Sequence, residues 1–116
     1  MRLTNEEIAQ FSNAINRTYS QILGREDLAG QWVTQLQRQN IIECVDAVRR
    51  GLITASGEAH ERWLWKHIED GWVYGPVKDA VLKQHPCLLP FGQLPEEEQF
   101  RDWLFLTTVK GLLQAR

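Results

Sequence analysis

The sequence predicts a mainly α fold, a small single-domain helical module of about four helices with a long irregular loop at residues 71–94. Apolar residues recur at helical spacing in four separate stretches, and these stretches are bounded by capping residues or glycines. The one long interruption collects Gly71, Gly75, Pro76, Pro86, Pro90 and Gly92. A chain of 116 residues suits one domain, spanning 1–116. At that size folding buries about two-thirds of the unfolded chain's surface, so no metal or disulfide staple is required.

The first helix is expected over 5–23. Thr4 stands as its cap and Glu7, three residues on, completes a capping box. Ile8, Phe11, Ile15, Tyr19 and Ile22 form its apolar stripe, and Gly24 ends it. A second helix over 28–50 is expected to start on Asp27, to carry Trp32, Leu36, Val45, Val48 and Leu52 in its pattern, and to close at Gly51. Arg49 and Arg50 complement its C-terminal dipole. Ser56 is placed as the cap of a third helix over 57–70, which Gly71 terminates. Within the loop, one helical turn is expected near Lys78 to Lys83. The last helix, 96–114, opens on Pro95 and the acidic run Glu96 to Glu98, and Phe100, Trp103, Leu104, Val109, Leu112 and Leu113 hold it to the core. Residues 1–52 thus form an N-terminal helical part ahead of a second unit at 56–116. Internal repeats and low-complexity segments are absent from the sequence.

Thirteen basic and fifteen acidic residues give a net charge of −2, with no basic block longer than Arg49–Arg50. That balance argues against a nucleic-acid polymer as partner, since such binders concentrate positive charge to neutralise many phosphates. A ligand with one to three phosphates remains compatible. Cys44 and Cys87 lie among aliphatic residues without paired spacing and read as buried free thiols. His60, His67 and His85 follow no zinc spacing with them, so no metal and no cofactor are expected. The start of the chain is acidic where a signal peptide is apolar, and no apolar run reaches the roughly 20 residues of a membrane span, which predicts a cytoplasmic protein away from membranes.

The stretch "DGWVYGPVKD", Asp70 to Asp79, concentrates the candidate chemistry. Gly71 and Pro76 have conformational reasons to be there. Trp72 and Tyr74 are open to two readings, as plugs of the core beside the loop or as rings that meet a ligand. Trp63 and Trp65 are two residues apart on one helix and therefore face different directions. Lys78, Asp79, Lys83 and His85 follow within one loop of these rings. Flat rings beside cationic groups suit a planar anionic ligand such as a nucleotide. Structural alternatives are His60 bonding to the loop, His85 setting the turn before Pro86, and Lys78 and Lys83 as solvated surface. Asp79 with His85 is the one acid–base pair for an enzymatic alternative, a nucleotide-processing activity. No serine, threonine or cysteine stands in an activating context beside it, and the expectation is a non-enzymatic protein.

The pattern from His60 to Gln99, "HERWLWKHIEDGWVYGPVKDAVLKQHPCLLPFGQLPEEEQ", resembles the RyR domain, a repeat first named from ryanodine receptors and found also as stand-alone prokaryotic and phage proteins. The correspondence runs through His60, Trp63, Lys66, Gly71, Trp72, Tyr74, Gly75, Lys78, Asp79, Lys83, His85, Pro86, Leu88, Pro90, Leu94 and Pro95. The resemblance implies a small helical module, with 56–116 as the RyR-like repeat. Tandem copies in the receptors resemble a unit whose aromatic residues hold a purine between two halves, which implies a purine-type ligand for Trp72 and its neighbours. Stand-alone members are linked to sensing or sequestering nucleotide-derived signals. The receptors' channel activity does not carry over.

Two functions follow as expectations. In the first, the chain binds a purine nucleotide or related signal: Trp72 and Trp63 stack on the base, Tyr74 offers a hydroxyl, Lys78 and Lys83 meet phosphate, and Asp79 and His85 complete the site. In the second, exposed tryptophans anchor a protein partner. A single repeat and five tryptophans in a small domain predict a two-fold homodimer with the ligand near the shared surface.

Overall fold

Capping chemistry places the helices. In the computed structural model, which describes residues 2–29 and 32–114, α1 is Asn5–Leu23, α2 Gln35–Arg49, α3 Ser56–Glu69 and α4 Glu96–Leu113. The Thr4 hydroxyl accepts from the Glu7 N–H at 3.1 Å and the Glu7 carboxylate accepts from the Thr4 N–H at 2.9 Å, the reciprocal box expected of that pair. Gly24 and Gly51 follow α1 and α2 with φ of 69° and 74°, the left-handed geometry that glycine adopts without strain.

The second helix departs from expectation. It starts at Gln35, not at residue 28, because Thr34 and Gln37 form a second capping box at 3.1 and 2.9 Å. Asp27 lies instead in a short 3₁₀ turn, Glu26–Leu28, with its carboxylate gripped by both Arg25 nitrogens at 3.0 Å, and Trp32 stands ahead of the helix. Ser56 is the first residue of α3, and the preceding Ala55 is its cap. The Glu58 carboxylate supplies the missing capping chemistry by accepting from the N–H groups of Thr54 and Ala55.

Ile8, Val45 and Val109 are fully buried where α1, α2 and α4 meet, with Ala47, Val48, Ile53, Ala59 and Leu106 around them. α3 packs on α4, and residues 70–95 cross between their ends as a strap with a second, smaller core of Leu28, Cys87 and Leu94 beneath it. The strap is not wholly irregular. Its strands β1, Val73–Tyr74, and β2, Gln84–His85, pair in parallel. The helical turn expected near Lys78 to Lys83 is a hydrogen-bonded turn closed by reciprocal Asp79 and Gln84 backbone bonds of 2.9 Å.

The apolar stripe of α1 is largely external. Phe11, Ile15 and Ile22 are exposed, whereas Ser12, Asn13 and Ser20 are buried. Ser12 turns its hydroxyl to the Ile8 carbonyl of its own helix at 2.8 Å, and Ser20 faces an ion pair of α4 with both side chains close to nine-tenths buried, Arg101 Nε on Glu98 Oε1 at 2.9 Å. Arg101 also donates to Asn16 at 2.8 Å and to the Ser20 hydroxyl, and it lies over the Tyr19 ring. A guanidinium with five donors needs polar partners in a low-dielectric interior, and the polar face of α1 supplies them.

Removing Arg101 strands the Glu98 carboxylate. Arg101→Met is expected to cost about 3–5 kcal/mol in urea unfolding, and the joint change with Glu98→Leu to recover much of it. Equal loss in the single and double variants would show that the charge pair is not the cause.

Candidate functional site

The site grows from one face of α3. His60, Trp63 and His67 recur three and four residues apart, so their rings lie one above another along the helix. The His60 and Trp63 centroids are 5.4 Å apart and stacked, and Trp63 and His67 are 4.2 Å apart. The strap adds two rings. Trp72 meets His67 edge-on at 5.4 Å, and His85 meets Trp63 edge-on at 4.9 Å and lies 6.4 Å from Trp72.

Backbone bonds explain how the strap reaches this position. Gly71 turns the chain out of α3 with φ of 88°, and the Trp72 N–H donates back to the His67 carbonyl at 2.9 Å. Val73 and Gly75 then donate to the carbonyls of Lys83 and His85. A Cβ at Gly75 would stand 2.7 Å from the Gln84 Cβ, so the close approach of β1 to β2 requires glycine there. The Asp79 carboxylate accepts from the N–H groups of Val81 and Leu82 at 2.9 and 3.1 Å, shaping the turn. Lys83 occupies the left-handed region at φ of 53°, and its ammonium donates to the Asp70 carbonyl at 2.7 Å.

Of the residues singled out in the sequence, the fold gathers Trp63, Trp72 and His85 into one ring cluster. Trp63 is half-buried with a histidine ring toward each end of α3, and Trp65 faces away, 61% exposed. Trp72 is half-buried and its indole N–H donates to the Asp70 carboxylate at 3.2 Å. Tyr74 is exposed on β1. Asp79 and Lys83 are engaged in the strap, and no hydrogen bond joins Asp79 to His85 among the described residues. Lys78 is half-buried and has neither hydrogen bond nor ion pair among the described residues. Its charge acts on His85 and His67 and is drawn toward Asp27.

His60 and His67 belong to the cluster although the sequence reading gave them no part in the site. Their spacing about Trp63 was the available signal. His67 donates from Nδ1 to the Trp63 carbonyl at 2.9 Å. His60 is 3% exposed, with Nε2 at 2.7 Å from the Leu89 carbonyl and Nδ1 at 3.3 Å from the Asp102 carboxylate.

The three histidines sit in opposite electrostatic states. Burial works against charge on His60, but the Asp102 carboxylate and the Leu89 carbonyl outweigh it and raise the pKa. Burial raises Asp102 as well, against the pull of His60. The direction for the histidine follows from its geometry, since both ring nitrogens meet acceptors and each needs a proton. Burial lowers His67, and burial with the Lys78 charge pushes His85 down to about 3. Cys44 and Cys87 are free thiols that burial pushes up to about 11 and about 12, so neither is a ready nucleophile. A groove of about 430 Å³ is lined by Leu23, Arg25, Leu28, Cys87 and Glu98, and no ring of the cluster lines it. Among the described residues no helix is long and apolar enough to cross a membrane.

Four helices, with the third and fourth bridged by an aromatic strap, define a small helical domain. The sequence profile of the RyR domain matches residues 45–115, more than half of the chain and all of the site, and the protein belongs to that family.

His60 contributes stability that is fully present below pH about 6.5 and is lost as pH rises through its raised folded pKa. His85, buried neutral, contributes stability above pH about 6.5 that is lost as pH falls toward about 3. With only three histidines, imidazole NMR titration separates them. His60 is expected to titrate above 6.5, with His67 and His85 below it. A titration of His60 below the other two would contradict the assignment.

Proposed function

We propose that this RyR-family chain is a non-enzymatic binding module for a purine nucleotide or nucleotide-derived small molecule, with the base against Trp72 and its anion at Lys78. The observation that carries the reading is Lys78, a half-buried ammonium without a partner among the described residues, set beside a cluster of aromatic and neutral imidazole rings. A desolvated cation gains most from an arriving anion, because water no longer competes for it. Trp72 and the exposed Tyr74 provide flat surface for a base. Trp63 supports the cluster from within, while Lys83 and Asp79 hold the strap in shape.

Thermal stabilisation across mono-, di- and cyclic nucleotides tests the proposal, since a ligand of the native state raises stability by about 2.7 kcal/mol at a hundred times Kd. Trp72→Ala is expected to weaken the best nucleotide by about 1–3 kcal/mol with the fold intact. Lys78→Ala should remove the advantage of a nucleotide over its nucleoside. A Trp72→Ala protein that unfolds would favour the core-plug reading, and silence across the panel would end the nucleotide reading.

A second reading, as a protein-interaction module that includes self-association, draws on a different face. Tyr19, Phe100 and Trp103 form a continuous ring series across α1 and α4, at 5.4 and 5.2 Å, and Phe11 and Ile15 extend the exposed surface along α1. Exposed apolar surface of this kind marks interfaces on many proteins. Light scattering is expected to give a dimer mass for the native chain and a monomer mass for Trp103→Glu. A monomer for both would exclude the homodimer.

A further inference from the structure

Two histidines of the ring cluster hold opposite tautomers. The Nδ1 of His67 lies 2.9 Å from the Trp63 carbonyl, a group that only accepts, so the proton is on Nδ1 and Nε2 carries a lone pair. The Nδ1 of His85 lies 2.9 Å from the backbone N–H of Cys87, a group that only donates, so the lone pair is on Nδ1 and the proton on Nε2. Burial keeps both rings neutral and therefore keeps these tautomers. The ring centroids are 6.3 Å apart, and both rings pack against Trp72. Neither Nε2 has a hydrogen-bond partner among the described residues, and neither is among the buried side-chain atoms left without one, so both reach solvent.

We infer that His67 and His85 are a two-point hydrogen-bonding reader, one acceptor and one donor, for a planar ligand edge that carries a donor beside an acceptor. The inference rests on the nucleotide reading of the Trp72 and Lys78 site and adds a base preference to it. An adenine edge has the required pattern: the 6-amino group donates to His67 Nε2, and an adjacent ring nitrogen accepts from His85 Nε2–H. A purine with no hydrogen-bond donor on its base leaves the His67 acceptor unmatched, whereas a 6-oxopurine still matches the pair through N1–H beside its 6-oxo group. A buried or half-buried polar group that loses its match discriminates more strongly than a lost apolar contact.

The test has two arms. Long-range proton–nitrogen correlation of the imidazoles, in the protein without ligand, is expected to show the Nδ1–H tautomer for His67 and the Nε2–H tautomer for His85. The same tautomer in both overturns the inference whatever binds. In the second arm, calorimetry compares adenosine 5′-monophosphate with purine riboside 5′-monophosphate, which lacks the 6-amino group. The adenine compound is expected to bind at least tenfold more tightly, and His67→Phe, which keeps a flat ring, to abolish the difference. Equal binding of the two that Trp72→Ala removes would overturn the histidine reader and leave the site standing. Binding by neither would overturn the reader together with the nucleotide reading beneath it.

Discussion

The strap is held in place by one buried imidazole. His60 projects from α3, meets the Leu89 carbonyl of the strap with Nε2 and the Asp102 carboxylate of α4 with Nδ1, and stacks on Trp63. Three segments distant in sequence are therefore tied through one ring. A half-buried carbonyl and a half-buried carboxylate both need donors, and a doubly protonated histidine supplies two in opposed directions. An apolar residue of the same volume would leave both acceptors unmet. Trp63 stacks on that ring, and His67 and His85 pack on Trp63 in turn, with Trp72 against His67.

Much of the strap's polar content is used in building the strap. Asp79 shapes a turn, Lys83 bonds to the Asp70 carbonyl across the loop's base, and His85 receives the Cys87 N–H. A segment of this length with few apolar contacts has to satisfy its backbone by such local bonds, because helix and sheet ladders cover little of it. The small core of Leu28, Cys87 and Leu94 completes its attachment. Lys78 differs from these residues in standing half-buried without a partner among the described residues. That contrast is the observation on which the proposed anion contact rests.

α1 turns polar residues toward a buried charge pair. Its apolar residues at positions 11, 15 and 22 point outward, while Asn16 and Ser20 on the inner side accept from Arg101 in its buried pair with Glu98. Phe100 and Trp103 continue the apolar surface left outside. Polar packing inside and apolar surface outside meet on one helix.

Local chemistry written in the sequence determined the mainly helical class, the boxes at Thr4, the glycine stops at 24, 51 and 71, and the start of α4 at Glu96. These features depend on residues within a few positions of one another, so one stretch of chain contains the whole cause. The second helix was misplaced because Asp27 and Thr34 are both competent caps, and only the Arg25 bond to Asp27 and the box at Thr34 separate them. The aromatic loop was legible from its composition, and so was the gathering of Trp63, Trp72 and His85. What tertiary structure alone decided was the state of each polar group: His60 with its pKa raised by Asp102 and the Leu89 carbonyl, His67 and His85 with theirs lowered by burial, Lys83 tied to Asp70, and Lys78 without a partner among the described residues. Protonation and pairing depend on burial and on partners as far as 85 residues away, as for Arg101 and Asn16, and no local pattern encodes those distances.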